Sequence, residues 1–203
     1  MTKIFVFDTE TTWFIDKKNP DLNAQPKIVQ FSWILWELEN WKWTELERID
    51  QYINPWIKIP FETSKIHHIY DIDVKNSPKM EEVIDKILYF INMPDVIVWH
   101  NIEFDEEMIK VELKRLQREH DYKPKNTYCS MKNTVNFCAI MWDRDRYKYP
   151  KLWELHKKLF WEYFTWAHNA IIDVENTLKC FLALHEKWEV KIETKKETVM
   201  SLF

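Results

Sequence analysis

The sequence predicts a single α/β domain in which helices cover a central sheet. Apolar runs of strand length dominate the first 53 residues, and from residue 77 onward such runs alternate with amphipathic helical patterns. Strands first, and then strands alternating with helices, are typical of a layered α/β domain. The length of 203 residues suits one hydrophobic core of this kind, and no internal repeat divides it.

Three strands are predicted in the first part of the chain. Residues 3–7 form a short apolar run that stops at Asp8, as a buried strand does when it delivers polar side chains at its end. Residues 28–37 are long and mostly apolar, and residues 48–53 follow a polar, turn-like segment around Asn40. Their order along the chain predicts a meander.

The remainder is predicted to alternate between helices and short strands. Ser77-Pro78 opens a helical pattern that continues to Met93, because proline is favoured in a first helical turn. Further strands are expected at 96–98 and 126–129, and further helices at 104–118, 131–139, 151–160 and 170–187. A basic loop is expected at 144–150, and the residues after 187 are expected to form a charged tail.

Bulk composition excludes several classes of protein. The formal net charge of −4 argues against a protein that coats nucleic acid by charge alone, although local basic patches or bound cations are permitted. Three widely spaced cysteines fit reduced thiols better than a disulfide framework or a zinc site. The N-terminal residues lack a signal-peptide pattern, and no apolar stretch approaches the roughly 20 residues of a membrane span. We therefore expect a cytoplasmic protein without a membrane partner.

The chain contains twelve tryptophans and no glycine. About 14 glycines would be expected at ordinary usage. Trp41, Trp43, Trp56 and Trp188 occur in polar, turn-like contexts where a residue without Cβ is useful. The pattern favours the hypothesis that many or all of these tryptophans stand for glycine, through a codon such as UGA that the source reads as glycine. The alternative is a truly tryptophan-rich protein.

Acidic residues occur at three places where strands and helices meet. Asp8 and Glu10 are two residues apart at the end of the first strand, so their side chains point to one side. Asp105 falls in the first turn of a helix, and His168 and Asp173 lie around the start of the last helix. Each feature alone is compatible with a turn or with a helix dipole complement. Two acids aimed together repel, and a divalent cation is the usual remedy.

Taken in order, these motifs resemble one family. Asp-x-Glu, then His-Asn-x-x-Phe-Asp at 100–105, then His-x-x-x-x-Asp at 168–173 are similar to the motifs of DEDDh-type 3′–5′ exonucleases, which include the proofreading epsilon subunit of bacterial DNA polymerase III. The resemblance extends from about residue 3 to residue 185. It implies an RNase H-like fold, with a central mixed five-stranded sheet flanked by helices, and an exonuclease domain at 1–187.

The resemblance also implies a set of site residues. Asp8, Glu10, Asp105 and Asp173 would hold two Mg²⁺ or Mn²⁺ ions, and His168 would take a proton from the attacking water. Contacts to the substrate are expected from these residues: Thr11, Asn101, Phe104 and His67. Trp13 and Trp99 occupy positions where relatives have glycine, and real indoles there would put bulk beside the site.

The implied function is removal of nucleotides from single-stranded or frayed 3′ ends of DNA, in replication proofreading or repair. Trimming of RNA 3′ ends, or an inactive exonuclease fold used as a binding module, are the alternatives. The end of the 188–203 tail resembles peptides that bind the sliding clamp, with Met200, Leu202 and Phe203 as the apolar contacts. A DNA polymerase is the other expected partner.

Overall fold

The computed structural model describes residues 1–39, 42–164 and 169–187. The strands are β1 (Thr2–Thr11), β2 (Ile28–Glu39), β3 (Lys42–Tyr52), β4 (Val96–Trp99), β5 (Thr127–Cys129), β6 (Met141–Asp143) and β7 (Arg146–Tyr147). The helices are α1 (Phe61–His67), α2 (Asp71–Val74), α3 (Met80–Asn92), α4 (Ile102–Arg115), α5 (Ser130–Asn133), α6 (Val135–Cys138), α7 (Leu152–Phe160) and α8 (Ala170–Glu186), with a 3-10 turn at Glu119–Asp121. Among the described residues, no helix combines the length and apolarity needed to cross a membrane.

The main sheet has five strands in the order β3-β2-β1-β4-β5. The pairs β1–β2 and β2–β3 are antiparallel, whereas β1–β4 and β4–β5 are parallel. The predicted mixed five-stranded sheet and the predicted meander are therefore confirmed. A separate two-stranded sheet pairs β6 with β7.

Side chains of β1 alternate between two hydrophobic cores. Phe5 and Phe7 pack on the side that α3 and α4 cover, where Trp33 and Phe90 belong to the same cluster. Ile4 and Val6 pack on the other side, in a cluster with side chains of α7 and α8. Because side chains along a strand alternate between faces, Asp8 and Glu10 continue the face of Ile4 and Val6, toward α8.

The structure corrects several predicted boundaries. β1 does not stop at Asp8 but runs to Thr11, because its polar end pairs with β2 from Ile28 onward. The helix predicted at 131–139 is split at Thr134 into α5 and α6. The predicted basic loop at 144–150 contains part of the β6–β7 hairpin, and α1 and α2 were not predicted.

Two tryptophans have backbone conformations that favour glycine. Trp56 and Trp161 have φ of 56° and 62°, in the left-handed region. Trp161 ends α7, where its N–H donates to the carbonyl of Lys157, and its side chain is 88% exposed. Trp33 and Trp99 are buried in the core with indole nitrogens that lack a hydrogen-bond partner within the described structure. Both observations support the proposal that tryptophans of this chain stand for glycine.

Replacement of Trp161 by glycine is expected to raise the free energy of unfolding by about 1 kcal/mol, because a left-handed residue with a Cβ is strained and this indole buries little. Urea denaturation measures the change.

Trp36→Gly is the matched control: Trp36 lies within β2 and packs against Trp43, so its loss should destabilise the protein. Destabilisation by both substitutions would contradict the strain at residue 161. An intact mass of protein purified from its source tests the glycine assignment itself.

Candidate active site

Strand β1 presents two carboxylates on the face that α8 covers. Asp8 pairs with Ser32 and Glu10 with Gln30 across the antiparallel β1–β2 ladder. Both acids are half-buried. The strand therefore holds the two carboxylates at a fixed separation, since the backbone on either side of each is hydrogen-bonded into the sheet.

Helix α8 brings a third carboxylate to the same place. Val174 and Leu178 pack in one cluster with Ile4 and Val6, and Asp173 lies in the first turn of the helix. One carboxylate oxygen from each of Asp8, Glu10 and Asp173 lies within 4.8 Å of the others. Asp173, which is 163 or more positions from the two acids of β1, thus completes a compact group of hard oxygen donors, the type that Mg²⁺ and Mn²⁺ prefer.

Asp105 is close to this group but is held differently. It lies in the first turn of α4 and is 4% exposed. Its Oδ1 accepts hydrogen bonds from the backbone N–H of Thr9 at 3.1 Å and from the Thr9 hydroxyl at 2.7 Å. The structure therefore places Asp105 in the site as predicted, but only the other three acids lie within mutual reach of one ion.

Burial and mutual repulsion raise the pKa values of these acids. Burial, followed by the charges of Asp105, Asp173 and Glu10, raises the pKa of Asp8 well above 3.8. Burial, followed by the charges of Asp173 and Asp105, raises the pKa of Glu10 to about 8. Burial raises the pKa of Asp105 to about 7, although the bonds from Thr9 oppose it. Within the part of the chain that the structure describes, the charges that shift the pKa of Asp8 are all carboxylates, so a divalent cation would relieve an unfavourable arrangement.

A cavity of about 600 Å³ opens over the carboxylates. The substrate-contact residues predicted from sequence all line it: Thr11, His67, Asn101 and Phe104. The Thr11 hydroxyl donates to the carbonyl of Trp13 at 2.8 Å, which leaves its oxygen lone pairs as acceptors. Burial lowers the pKa of His67 to about 4, and its Nδ1 accepts from the backbone N–H of Ile69. His67 is therefore neutral at physiological pH.

Phe14 and His100 are among the residues that line the cavity without a site role predicted from the sequence. Phe14 is 64% exposed, and its ring contacts that of Phe104 at a centroid distance of 6.1 Å. Its position four residues after Glu10 was the available signal. His100 has a pKa lowered to about 4 by burial, so its neutral ring can donate from Nε2 to the carbonyl of Pro150 at 3.0 Å. Its Nδ1 lies 2.9 Å from the hydroxyl of Ser130, which donates to the carbonyl of Trp99. His100 thereby ties the segment after β7 to the rim of the site.

The two tryptophans expected beside the site lie in different places. Trp13 is half-exposed and lines the cavity, and it also lines a second cavity around Ile57. Trp99 instead is fully buried in the core, edge-on to Phe7, and does not line the cavity. The expected crowding at the site therefore applies to Trp13 and is wrong for Trp99. Side chains of β4 alternate between the two faces of the sheet, and that of Trp99 lies on the face covered by α3 and α4.

Several predicted residues lie outside the described structure. These are the catalytic candidate His168 and the clamp-contact candidates Met200, Leu202 and Phe203. Of the basic residues near the hairpin, Lys148 is engaged in an ion pair with Glu154 at 2.5 Å, whereas Arg144 and Arg146 are exposed.

Comparison with protein families gives one match that covers most of the chain. The RNase T model, described as an exonuclease, matches residues 5–181. The chain is 27% identical over 183 residues to the PolC-type DNA polymerase III of Caldanaerobacter subterraneus subsp. tengcongensis, covering 90% of this chain and 11% of that protein. It is 28% identical over 139 residues to the DNA polymerase III subunit epsilon of Buchnera aphidicola subsp. Schizaphis graminum, covering 68% and 52%. The chain thus spans about half or less of these curated relatives.

Solved structures share the fold. The nuclease domain of 3′hExo, a DEDDh family member bound to rAMP, aligns with a TM-score of 0.71 at 15% identity, covering 96% of this chain and 97% of that one. The E. coli ExoI–ssDNA complex in its zinc-bound form aligns with a TM-score of 0.70 at 17% identity, covering 92% and 41%. The predicted RNase H-like exonuclease fold is confirmed.

Proposed function

The chain belongs to the RNase T family of exonucleases, and on this premise we propose that it is a metal-dependent 3′–5′ exonuclease that removes nucleotides from single-stranded or frayed 3′ ends of DNA. The observation that carries the proposal is the group formed by Asp8, Glu10 and Asp173, which line the cavity and each place one carboxylate oxygen within 4.8 Å of the others. Acids gathered in this way store electrostatic repulsion, which a structural role alone would not require.

The donor set fits two divalent ions with hard oxygen preference, Mg²⁺ or Mn²⁺. Asp8, Glu10 and Asp173 would hold them, together with Asp105. When bound, such ions acidify a water molecule and offset negative charge on a phosphate. The remaining steps belong to the protein: His168 accepts the proton of the water, and Thr9 keeps Asp105 fixed and largely closed to solvent.

The cavity offers the features expected for a terminal nucleotide. Its volume of about 600 Å³ is in the range of small-molecule sites. Phe104 and Phe14 contribute apolar rings to its lining, and Thr11, Asn101 and His67 contribute residues with polar groups. We propose that the 3′ end separates from its complement before it reaches the carboxylates, as enzymes that act on nucleotides inside a duplex require.

DNA is proposed as the substrate because the curated relatives are a PolC-type DNA polymerase III and a DNA polymerase III subunit epsilon. The proposed setting is replication proofreading or repair in the cytoplasm, with a DNA polymerase or the sliding clamp as partner. We assign residues 1–187 to the exonuclease domain and 188–203 to a tail whose Met200, Leu202 and Phe203 contact the clamp. A chain ending at residue 187 should keep nuclease activity on free oligonucleotides and lose clamp binding; retained clamp binding would exclude the tail as the contact.

The proposal is tested with matched single strands of DNA and RNA that carry a 5′ label, incubated with Mg²⁺. We expect a ladder of products shortened from the 3′ end, faster on DNA, and no shortening when the 3′ terminus of a DNA strand is blocked. Faster cleavage of RNA would favour the RNA-trimming alternative, a possibility raised by the fold shared with the rAMP-bound nuclease domain. Binding of DNA without cleavage under any metal would instead identify an inactive module.

A further inference from the structure

A buried amide side chain joins the sheet to the first residue of α8. Gln30 is 0% exposed and lies on β2, directly opposite Glu10. Its Oε1 accepts from the backbone N–H of Ala170 at 3.3 Å, and its Nε2 donates to Oδ1 of Asp50 at 2.6 Å. Gln30 and Ala170 are 140 residues apart in the chain.

These polar groups share a face of the sheet with the carboxylates. Directly opposite residues of an antiparallel pair project to the same face, so Gln30 lies beside Glu10 and Ser32 beside Asp8. Ser32 also donates to Oδ1 of Asp50 at 2.6 Å. The carboxylate of Asp50, on the edge strand β3, thus accepts hydrogen bonds from Gln30 and Ser32, the two β2 residues that lie beside the candidate metal ligands of β1.

The bond to Ala170 satisfies a group that the helix itself cannot satisfy. The first N–H groups of an α-helix have no partner within the helix, and here the side chain of the N-cap residue Asn169 makes no capping bond. Ala170 is fully buried, so water is excluded from its N–H. Gln30 supplies the acceptor.

The two partners of Gln30 also fix which way its amide faces. A carboxylate can only accept and a backbone N–H can only donate, so Nε2 must face Asp50 and Oε1 must face Ala170. A flipped amide would set donor against donor and acceptor against acceptor. The position of the first residue of α8 relative to the sheet is therefore fixed by Gln30, which bonds Ala170 through Oε1 and Asp50 through Nε2.

We propose that Gln30 is a positioning residue that sets where Asp173 stands relative to Asp8 and Glu10, by holding the first N–H of α8 while Asp50 orients its amide. Asp173 lies one turn beyond Ala170, and its N–H donates to the carbonyl of Asn169 at 3.0 Å, so a displaced helix start moves the carboxylate. The inference rests on the proposed function only in taking these three acids as metal ligands.

The test uses the full chain and two readouts other than activity. Gln30→Met keeps the side-chain length and removes both hydrogen bonds. We expect faster amide hydrogen exchange at Ala170 in the metal-free protein, and a Mn²⁺ dissociation constant from calorimetry that rises about 10–100-fold, the usual cost of removing a group that orients a ligand. Ser32→Ala removes the other bond to Asp50 but spares the Gln30–Ala170 contact, so both readouts should stay close to those of the unaltered chain.

A charge exchange provides the rescue experiment. Gln30→Glu keeps an acceptor for the N–H of Ala170 but places a second carboxylate against that of Asp50. Repulsion between the two carboxylates should displace residue 30 from Ala170, so Mn²⁺ affinity should fall and amide exchange at Ala170 should accelerate. Adding Asp50→Asn restores a donor with the same net charge and should return both readouts toward the original values. If Gln30→Met does not fold, this pair decides: a double variant no better than Gln30→Glu overturns the proposal, as does unchanged exchange at Ala170 in Gln30→Met.

Failure here can be told apart from failure of the proposed function. Exchange at Ala170 is measured without metal or nucleic acid. A chain that degrades no nucleic acid yet shows the expected exchange and Mn²⁺ changes would lose the exonuclease assignment and keep the role of Gln30.

Discussion

Replacement of Asp8 by asparagine is expected to lower the rate of exonuclease cleavage by about 10³-fold or more. Loss of a group that stabilises charge in the transition state typically reduces the rate on this scale. The same substitution should raise the thermal stability of the metal-free protein. Asp8 stands among three other acids, all of which raise its pKa, so its removal as a charge relieves repulsion. Activity on a labelled strand with Mg²⁺ and the melting temperature in chelator measure the two effects.

Asp145→Asn is the matched control, because Asp145 is exposed in the hairpin between β6 and β7. It should change neither activity nor stability appreciably. Lower activity together with higher stability in Asp8→Asn would identify Asp8 as a functional acid, since removal of an acid with a structural role should lower both. Undiminished cleavage by Asp8→Asn, or its destabilisation without metal, would contradict the assignment of Asp8 as a ligand.

The second expected result is that the metal-free protein loses stability as the pH rises from about 5 to about 8, where Glu10 and Asp105 titrate in the folded state with pKa values of about 8 and about 7. Their ordinary values are 4.5 and 3.8. Between these values the folded state keeps protons that the unfolded state has already lost, so the free energy of unfolding falls with rising pH until the folded state has lost them too. Above about pH 8 these groups cause no further loss.

Divalent ions should reverse this loss. Mg²⁺ at 100 times its dissociation constant stabilises the folded state by about 2.7 kcal/mol, or roughly 5–10 °C in melting temperature for a chain of this size. The increase should be larger at about pH 8 than at about pH 5, because protons compete with the ion for the same oxygens. Scanning calorimetry with chelator and with Mg²⁺ measures both dependences.

Glu10→Gln isolates the contribution of the site from other titrating groups. This substitution should flatten the pH dependence of the metal-free protein and reduce the stabilisation by Mg²⁺. A melting temperature that increases with pH across the window, or an Mg²⁺ effect equal in the two proteins, would contradict the electrostatic account of the site.

Local sequence patterns predicted most of the fold because burial imposes a period on each element. The apolar runs at 3–7, 28–37 and 96–98 correspond to β1, β2 and β4, and the helical pattern ending at Met93 corresponds to α3. Short elements were not predictable in this way. α2 has four residues and β7 has two, and elements of this size are stabilised by their surroundings rather than by their own periodicity.

The polar end of β1 shows why a boundary can be wrong while a site is right. The run Asp8-Thr9-Glu10-Thr11 is typical of a strand end, yet the strand continues through it because β2 supplies hydrogen bonds as far as Ile28. The spacing of the two acids was enough to put them on one face in either case. The family and the RNase H-like fold, inferred from the order of three motifs, are confirmed.

The sequence by itself determined the parity that sends Asp8 and Glu10 to one face of a strand, because side-chain alternation is a property of the local backbone. Only the tertiary structure decided that Asp173 joins them, that Asp105 is held by Thr9, and that Gln30 meets the start of α8. Those contacts join residues about 90 or more positions apart. Their geometry depends on how the helices pack against the sheet. The packing of the two hydrophobic cores fixes this arrangement, and no local sequence pattern encodes it.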